Sequence, residues 1–372
     1  MTPASQLAAA APAAPASVFP VLDTASEGGD EITRLIWLVF GISAVIFVST
    51  GGLIVGAMLR SARRAGPHEA PCPEGGATHP YREFWWMLGP VFVAAWLCFV
   101  SVQVMGALAV STEPDRPDDA SGQTPEPHPY DLRVVGRQWF WEFRYPGGAG
   151  GAEVVTANEL HIPTGTKLTL KVNAEDVVHS FWVPRLGRKI DAIPGWDNYM
   201  VLSADEPGRY QGYCSEFCGD QHAWMLFEVV AHEPADYQAW LAAQREAPAA
   251  PAPGAVRAAA GGGGGGDAEP PTAAGTPDDL AGRIAAGRAV YESRTCVTCH
   301  SIGDPGGSHA GPDLTHLASR GTLAGGVLPL DRPNLRAWMR DPQAVKPGTH
   351  MPTFAFSPEE LEHVTDYLMS LK

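Results

Sequence analysis

His179, Cys214, Glu216, Cys218, His222 and Met225 form the first group of residues able to do chemistry. They are spaced His-x34-Cys-x3-Cys-x3-His-x2-Met across HSFWVP and CSEFCGDQHAWM. Thiolate, imidazole and thioether together are the soft donor set that favours copper. If Cys214–Cys218 folds as a compact loop, its thiolates can bridge two metal ions, each histidine adds a nitrogen, and Met225 can serve as a weak axial donor. A cysteine pair alone fits a disulfide or half a zinc site equally well, but zinc seldom recruits a methionine. A second group lies in the tail, where Cys296-Val-Thr-Cys299-His300 is the Cys-x-x-Cys-His pattern of covalent haem attachment. Its thiols add to two vinyl groups, and the adjacent histidine can ligate iron. The sixth iron ligand must be a His or a Met, and a Met raises the potential; Met351, Met339, His309, His316 and His350 all stand within reach in the sequence.

Several kinds of element must position these groups. Leu35–Leu59 and Phe84–Val110 are uncharged runs of 25 and 27 residues, and a bilayer core takes roughly 20 apolar residues to cross. A hairpin of two membrane spans (34–110) is therefore expected. Arg60, Arg63, Arg64 and Arg82 flank the intervening loop, whereas Met1–Thr33 has no Lys or Arg. The positive-inside rule puts the loop in the cytoplasm and both termini outside. Residues 1–33 read as a mobile outer tail that makes a poor signal peptide.

Beyond a Pro-rich stretch (111–129), short β-rich runs with turn signals occupy 130–230 and predict a sandwich or barrel within a 111–245 domain. Residues 246–277 are Ala/Pro/Gly low-complexity chain that cannot bury a core and should act as a tether with a span on the order of 30 Å. Residues 278–372 turn helical, in DDLAGRIAAGRAVYES and SPEELEHVTDYLMSLK.

The 372 residues carry 41 acidic and 26 basic side chains, a formal charge of −15. That balance argues against nucleic acid, whose phosphates need clustered Lys and Arg. Residues 111–246 hold 21 acidic and 11 basic side chains, so most of the negative charge sits on the β domain and suits a basic docking face. The near-neutral mean hydropathy of −0.08 averages apolar spans with polar domains. Four of the six cysteines belong to the two motifs; Cys72 falls in the loop and Cys98 inside a span, so no structural disulfide is expected.

HSFWVP, KIDAIPG, CSEFCGDQHAWM and GRQWFWEFRYP, with two preceding spans, resemble the dinuclear copper (CuA) domain family of cytochrome c oxidase subunit II over about residues 30–235. The tail resembles a class I cytochrome c. The resemblance implies a multi-domain chain: a transmembrane hairpin, an all-β cupredoxin-like Greek-key sandwich and an all-α cytochrome c domain. It implies that the six positions above ligate CuA, Glu216 through its backbone carbonyl, and that the Glu216 side chain reaches a magnesium ion shared with subunit I. Asp191 matches a position near that magnesium through water. Trp139, an exposed aromatic beside the metal site, matches the electron-entry position, and Trp141 is left to the strand core. Glu83 matches a position at the mouth of a proton channel in subunit I. Cys296 and Cys299 attach haem c, His300 ligates its iron and is oriented by the Pro312 carbonyl, and KPGTHMP makes Met351 the opposite ligand. One departure is Trp196, where the family usually has an Arg that makes a polar contact to subunit I.

The function so implied is electron input to a respiratory oxidase of the bacterial cell membrane. An external donor, a cytochrome c or an upstream reductase, would reduce the tethered haem. The copper pair would follow, then subunit I, assisted by subunit III, would reduce oxygen and pump protons. Two other classes share features with this chain: the CuA subunit of a nitric oxide reductase, and a membrane-anchored copper-delivery protein, which would need neither His222, Met225 nor a haem.

Overall fold

The structure, a computed structural model, describes residues 19–64, 80–110, 130–147, 152–248 and 279–372. The start of the tail, the loop carrying Cys72, the Pro-rich stretch and nearly all of the tether lie outside the described residues. The chain divides into two compact units, Gly28–Glu113 and the remainder.

The first unit consists of two long helices, α1 (Glu27–Arg64) and α2 (Pro80–Val110). Both are long and apolar enough to cross a membrane. Their large apolar side chains, including Phe47, Trp85 and Phe92, are exposed on all sides, as lipid requires and water penalises. Pro90 lies inside α2. Within the 33 residues expected to form a mobile tail, helix α1 already begins at Glu27. Ala25 and Ser26 are buried, the Ala25 amide donates to the Arg185 carbonyl at 2.9 Å, and the Ser26 hydroxyl donates to Leu186 at 2.9 Å. Small side chains allow this close backbone approach.

The larger unit contains the sandwich. One sheet runs β3-β2-β1-β5-β8 and the other β4-β10-β9-β6-β7. The strands are β1 (Leu132–Arg137), β2 (Phe140–Tyr145), β3 (Val154–Ala157), β4 (Glu159–Pro163), β5 (Leu168–Ala174), β6 (His179–Trp182), β7 (Ile190–Ala192), β8 (Asn198–Leu202), β9 (Gly208–Cys214) and β10 (Leu226–His232). β1 pairs parallel with β5, and β4 parallel with β10, among otherwise antiparallel ladders. This is the cupredoxin-like arrangement. Trp141, Phe181 and Phe227 interlock at its centre, with ring centroids 4.6–5.6 Å apart, so Trp141 is a core residue. Helix α3 (Pro234–Gln244) closes the domain and stacks Trp240 on His161 at 4.0 Å. His161 Nδ1 lies 2.8 Å from His232 Nε2, which gives those two histidines a packing role.

The cytochrome part has α4 (Leu280–Ser293), a short hairpin of β11 (Thr322–Leu323) and β12 (Leu328–Pro329), α5 (Arg332–Arg340), α6 (Pro342–Val345) and α7 (Pro358–Ser370). Asp279 caps α4 through the Gly282 amide, and a Ser357–Glu360 capping box starts α7. Tyr291, Leu335, Val364, Tyr367 and Leu371 make the small core.

Period-2 alternation along β2 predicts one wet face. Its inward residues Trp141, Phe143 and Tyr145 are buried as expected, but so are Phe140 and Glu142 on the other face. The reason is that the cytochrome domain sits on that face.

Candidate copper and haem centres

The copper candidates converge because three strand ends meet at one edge. β6 begins at His179, β9 ends at Cys214, and β10 starts just past Met225. Phe181 is paired with Cys214, which brings His179 alongside the loop. Ser215 donates to the Ser180 carbonyl at 2.9 Å and Cys214 to the Met225 carbonyl at 3.2 Å, pinning both ends of the loop. Cys214 Sγ and Cys218 Sγ are 3.7 Å apart. His179 Nδ1 is 3.8 Å from Cys214 Sγ, His222 Nδ1 is 3.6 Å from Cys218 Sγ, and Met225 Sδ is 3.8 Å from Cys218 Sγ. The Glu216 carbonyl lies 3.3 Å from Cys214 Sγ. All six predicted positions therefore stand in one cluster, with ligand atoms of His179, Cys214 and Cys218 mutually within 4.8 Å. A pair of thiols flanked by one imidazole each, a thioether and a carbonyl is a donor set that fits two bridged coppers.

The electrostatics favour thiolate. The contact from Cys218 draws the Cys214 thiol down to about 3, against the penalty of burial, with His179 assisting. The same contact pushes Cys218 up, since a second thiolate beside the first is disfavoured. Burial works against a charged His179 ring, but the Asp176 carboxylate, 2.8 Å from Nε2, and the Cys214 thiol outweigh it and raise its pKa. Asp176 thus fixes the ring so that Nδ1 faces the sulfurs. It also accepts from the Gln138 amide at 2.6 Å. On the far side, the Gln138 amide group and the Trp139 indole N–H donate to the Cys218 carbonyl at 2.8 and 3.0 Å. Gly219, at φ 112°, leaves room for this turn: a Cβ there would lie 3.1 Å from both Gln138 and Trp139. Asp176 was not singled out in the sequence, although an acid three residues before a ligand histidine is a usable signal.

Asp191 is half-buried on β7 and paired with Ser180, whose carbonyl holds Ser215, so it lies close along the backbone to the exposed Glu216. Trp196 is 65% exposed. Glu83 is exposed in the first turn of α2, in the other unit.

The haem candidates line a cavity of about 410 Å³. Cys296 and Cys299 occupy a 3-10 turn after α4 (Cys296–Thr298 plus its cap), and the His300 amide donates to the Cys296 carbonyl at 3.0 Å. His300 Nδ1 is 2.7 Å from the Pro312 carbonyl, which can only accept; Nδ1 therefore carries the proton and Nε2 keeps its lone pair for iron. Burial lowers the His300 pKa and keeps the ring neutral. Two rival axial histidines are engaged elsewhere, His309 Nδ1 lying 3.1 Å from Glu142 and His316 meeting the Gln244 carbonyl at 3.1 Å, whereas His350 lines the same cavity with its ring 4.6 Å from Trp139. Met351 and Met339 both reach the cavity wall, Met339 as a buried member of the core. The buried guanidinium of Arg320 borders the cavity with Nε unpartnered, a donor suited to a haem carboxylate. The residues present fit a covalently held haem.

Trp139 differs from the sequence expectation. It is 8% exposed, because the cytochrome domain covers it, and it forms part of the haem cavity wall together with Gln138 and Phe140. The two domains also share hydrogen bonds. Buried Glu159 accepts from the Gly321 and Thr322 amides at 2.7 and 2.8 Å, and the Leu226 amide donates to Gly325 at 3.1 Å. Gln221 donates to the Pro347 carbonyl, and Lys346 Nζ to the Trp139 carbonyl at 3.1 Å. None of these contacts carries a sequence signal.

Residues 149–232 match the family profile of cytochrome c oxidase subunit II, periplasmic domain, and residues 284–372 that of cytochrome c. Cytochrome c oxidase subunit 2 of Alkalihalophilus pseudofirmus is 33% identical over 333 residues, covering 89% of this chain and 84% of the relative. The Bacillus subtilis protein of the same name is 26% identical over 323 residues, 83% of this chain and 80% of the relative. Among solved structures, the periplasmic domain of subunit II of cytochrome oxidase (CoxB) of Bradyrhizobium japonicum is 30% identical, over 31% of this chain and 92% of that one, with a TM-score of 0.29.

Proposed function

This chain belongs to the cytochrome c oxidase subunit II family, a subunit of a haem–copper oxidoreductase anchored in the membrane, and on that premise we propose that it is the electron-input subunit in which a tethered haem c feeds a dinuclear CuA centre. Held by this chain's residues, the haem and the copper pair would supply one-electron transfer toward subunit I, where oxygen would be reduced with proton pumping.

The observation that carries this reading is the position of Trp139. It forms a wall of the cavity that holds Cys296, Cys299 and His300, and its indole N–H is bonded to the carbonyl of Cys218. One side chain therefore lines the haem cavity and bonds to the backbone of a copper-ligand candidate. His179, Cys214, Cys218, His222, Met225 and the Glu216 carbonyl would hold the copper pair. Cys296 and Cys299 would hold the haem, with His300 and Met351 on its iron. The Pro312 and Asp176 contacts keep each ligand ring in one orientation, which limits reorganisation as charge changes.

The remaining assignments rest on the family resemblance. Glu216 and Asp191 contribute to a magnesium site facing subunit I, and Glu83 serves proton entry on the cytoplasmic side. Both termini and both redox domains face outward from a bacterial cell membrane, where a cytochrome c or an upstream complex donates. Subunit III completes the assembly. Spectroscopy of the purified complex tests the reading. A mixed-valence copper signal with near-infrared absorption, together with oxygen consumption, is expected. A mononuclear copper signal would favour copper delivery, and turnover of nitric oxide in place of oxygen would favour the reductase.

A further inference from the structure

Gly136 stands where the strand itself gives no reason for a glycine. It lies inside β1, paired with Trp141 on one side and Ala174 on the other, and its φ is not positive. The inward row of β1 starts with Leu132 and Val134, both buried, so period-2 alternation calls for an apolar side chain at 136. A glycine inside a strand weakens it, having no side chain to pack and more chain entropy to lose. The His179 ring occupies the place of the missing side chain. A Cβ on Gly136 would lie 2.8 Å from His179 Cδ2, 3.0 Å from its Cγ and 3.2 Å from its Cβ.

That ring has nowhere to withdraw. It is fully buried, its Nε2 is 2.8 Å from Asp176, and it meets Trp141 edge-on with centroids 5.9 Å apart. Asp176 is itself held by the Gln138 and Val177 amides, both at 2.6 Å. The obstructing atoms include the Cβ and Cγ of His179, the root of the side chain, so turning the ring does not clear them. Ordinary contact at about 3.5 Å asks the ring to move by roughly 0.7 Å. Metal–nitrogen distances hold to within about 0.2 Å. One methyl group at 136 is therefore enough to take Nδ1, now 3.8 Å from Cys214 Sγ, out of place.

We propose that Gly136 is a positioning residue for the copper centre: its bare backbone is the floor on which the His179 imidazole lies, so that Nδ1 points at the sulfurs while Nε2 stays on Asp176. The hairpin of β1 and β2 that carries Trp139 to the haem cavity thus also seats one ligand of the copper pair. The inference rests on the copper reading above.

The test uses Gly136→Ala and Gly136→Ser in the purified oxidase complex, the first also combined with His179→Ala. Each copper would take one imidazole, so displacing His179 alone makes the two ions unequal. In both single variants the electron paramagnetic resonance pattern should lose its equal sharing between two coppers, and the near-infrared band should shift or fade. The haem c spectrum and midpoint should stay as they are. Amide exchange along β1 in the copper-free chain gives a second reading that does not depend on loading. Gly136→Ala should speed it about tenfold through overpacking. In the His179→Ala background the same change should leave exchange unaltered or slower, because the space is then empty and alanine suits a strand better than glycine. A copper spectrum unchanged in both single variants overturns the inference, as does equal acceleration of exchange with and without His179. Where Gly136→Ala alone does not fold, the double variant should, and its failure to fold overturns the inference too. All these outcomes leave the functional reading intact. An unaltered complex that binds no copper pair overturns that reading, and the copper role of Gly136 with it.

Discussion

Replacing Gly287 with alanine sets two effects of opposite sign against each other. Gly287 lies in the middle of α4, where alanine is favoured by about 1 kcal/mol on helix propensity. A Cβ at that position, however, would lie 1.9 Å from the His363 carbonyl oxygen, 2.5 Å from its carbon and 2.9 Å from Tyr367 Cβ, all on α7. The obstacle is backbone and cannot rotate aside, so ordinary contact requires the two helices to part by about 1.5 Å. Overpacking of this kind costs about 1–3 kcal/mol, at the upper end where backbone must move. Parting the helices also strains the Tyr291 hydroxyl bond to the His300 carbonyl, 3.0 Å long and worth about 1 kcal/mol. The clash outweighs the propensity gain, and a net loss of about 2 kcal/mol is expected. Denaturant unfolding of the purified chain, followed by haem absorbance for this domain and by the copper spectrum for the other, measures it. Equal or higher stability of Gly287→Ala would refute the close crossing of α4 and α7.

Three further outcomes are expected. Cys214→Ser or Cys218→Ser should abolish the copper-pair spectrum and leave haem c reducible; a retained signal in both would contradict the ligand assignment. Met351→Ala should lower the haem potential and change the sixth-ligand spectrum, whereas an unchanged potential would favour Met339 or a His. Glu159 is buried, and its contacts to His161, Arg209 and the Gly321 amide outweigh the burial penalty and hold its carboxyl down from 4.5 to about 2. A carboxyl depressed in the folded state contributes stability above pH 4.5 and loses it as pH falls toward 2. Amide exchange at Gly321 and Thr322 should accelerate across that window, and protection persisting at pH 2 would contradict the contact.

What the sequence made legible were the short-range patterns. The loop from Cys214 to Met225 and the Cys296–His300 turn carry their ligands within a few residues, so type and spacing suffice. The spans were visible because lipid-facing helices are apolar all round. β9 was hidden because two of its inward positions are Gly208 and Gly212, which give no apolar alternation. β6 and β7 are four and three residues long, too short for a period to show. EVVTANELHI has the composition of one continuous β-rich run, but Asn158, at φ 61°, breaks it into β3 and β4 in different sheets. α3 had no sequence assignment. Burial of Trp139, Phe140, Glu142, Glu159 and Lys346 arises where one domain covers another, and contacts between residues some 160–210 positions apart leave no periodic trace.

The hydrogen bonds that Glu159 accepts from Gly321 and Thr322 have a thermal consequence. A carboxylate that closes its bonding on a neighbouring domain binds the melting of each domain to that of the other. Heating should therefore give one shared calorimetric endotherm for the sandwich and the cytochrome, despite a tether that permits two. Glu159→Gln should split that endotherm into two.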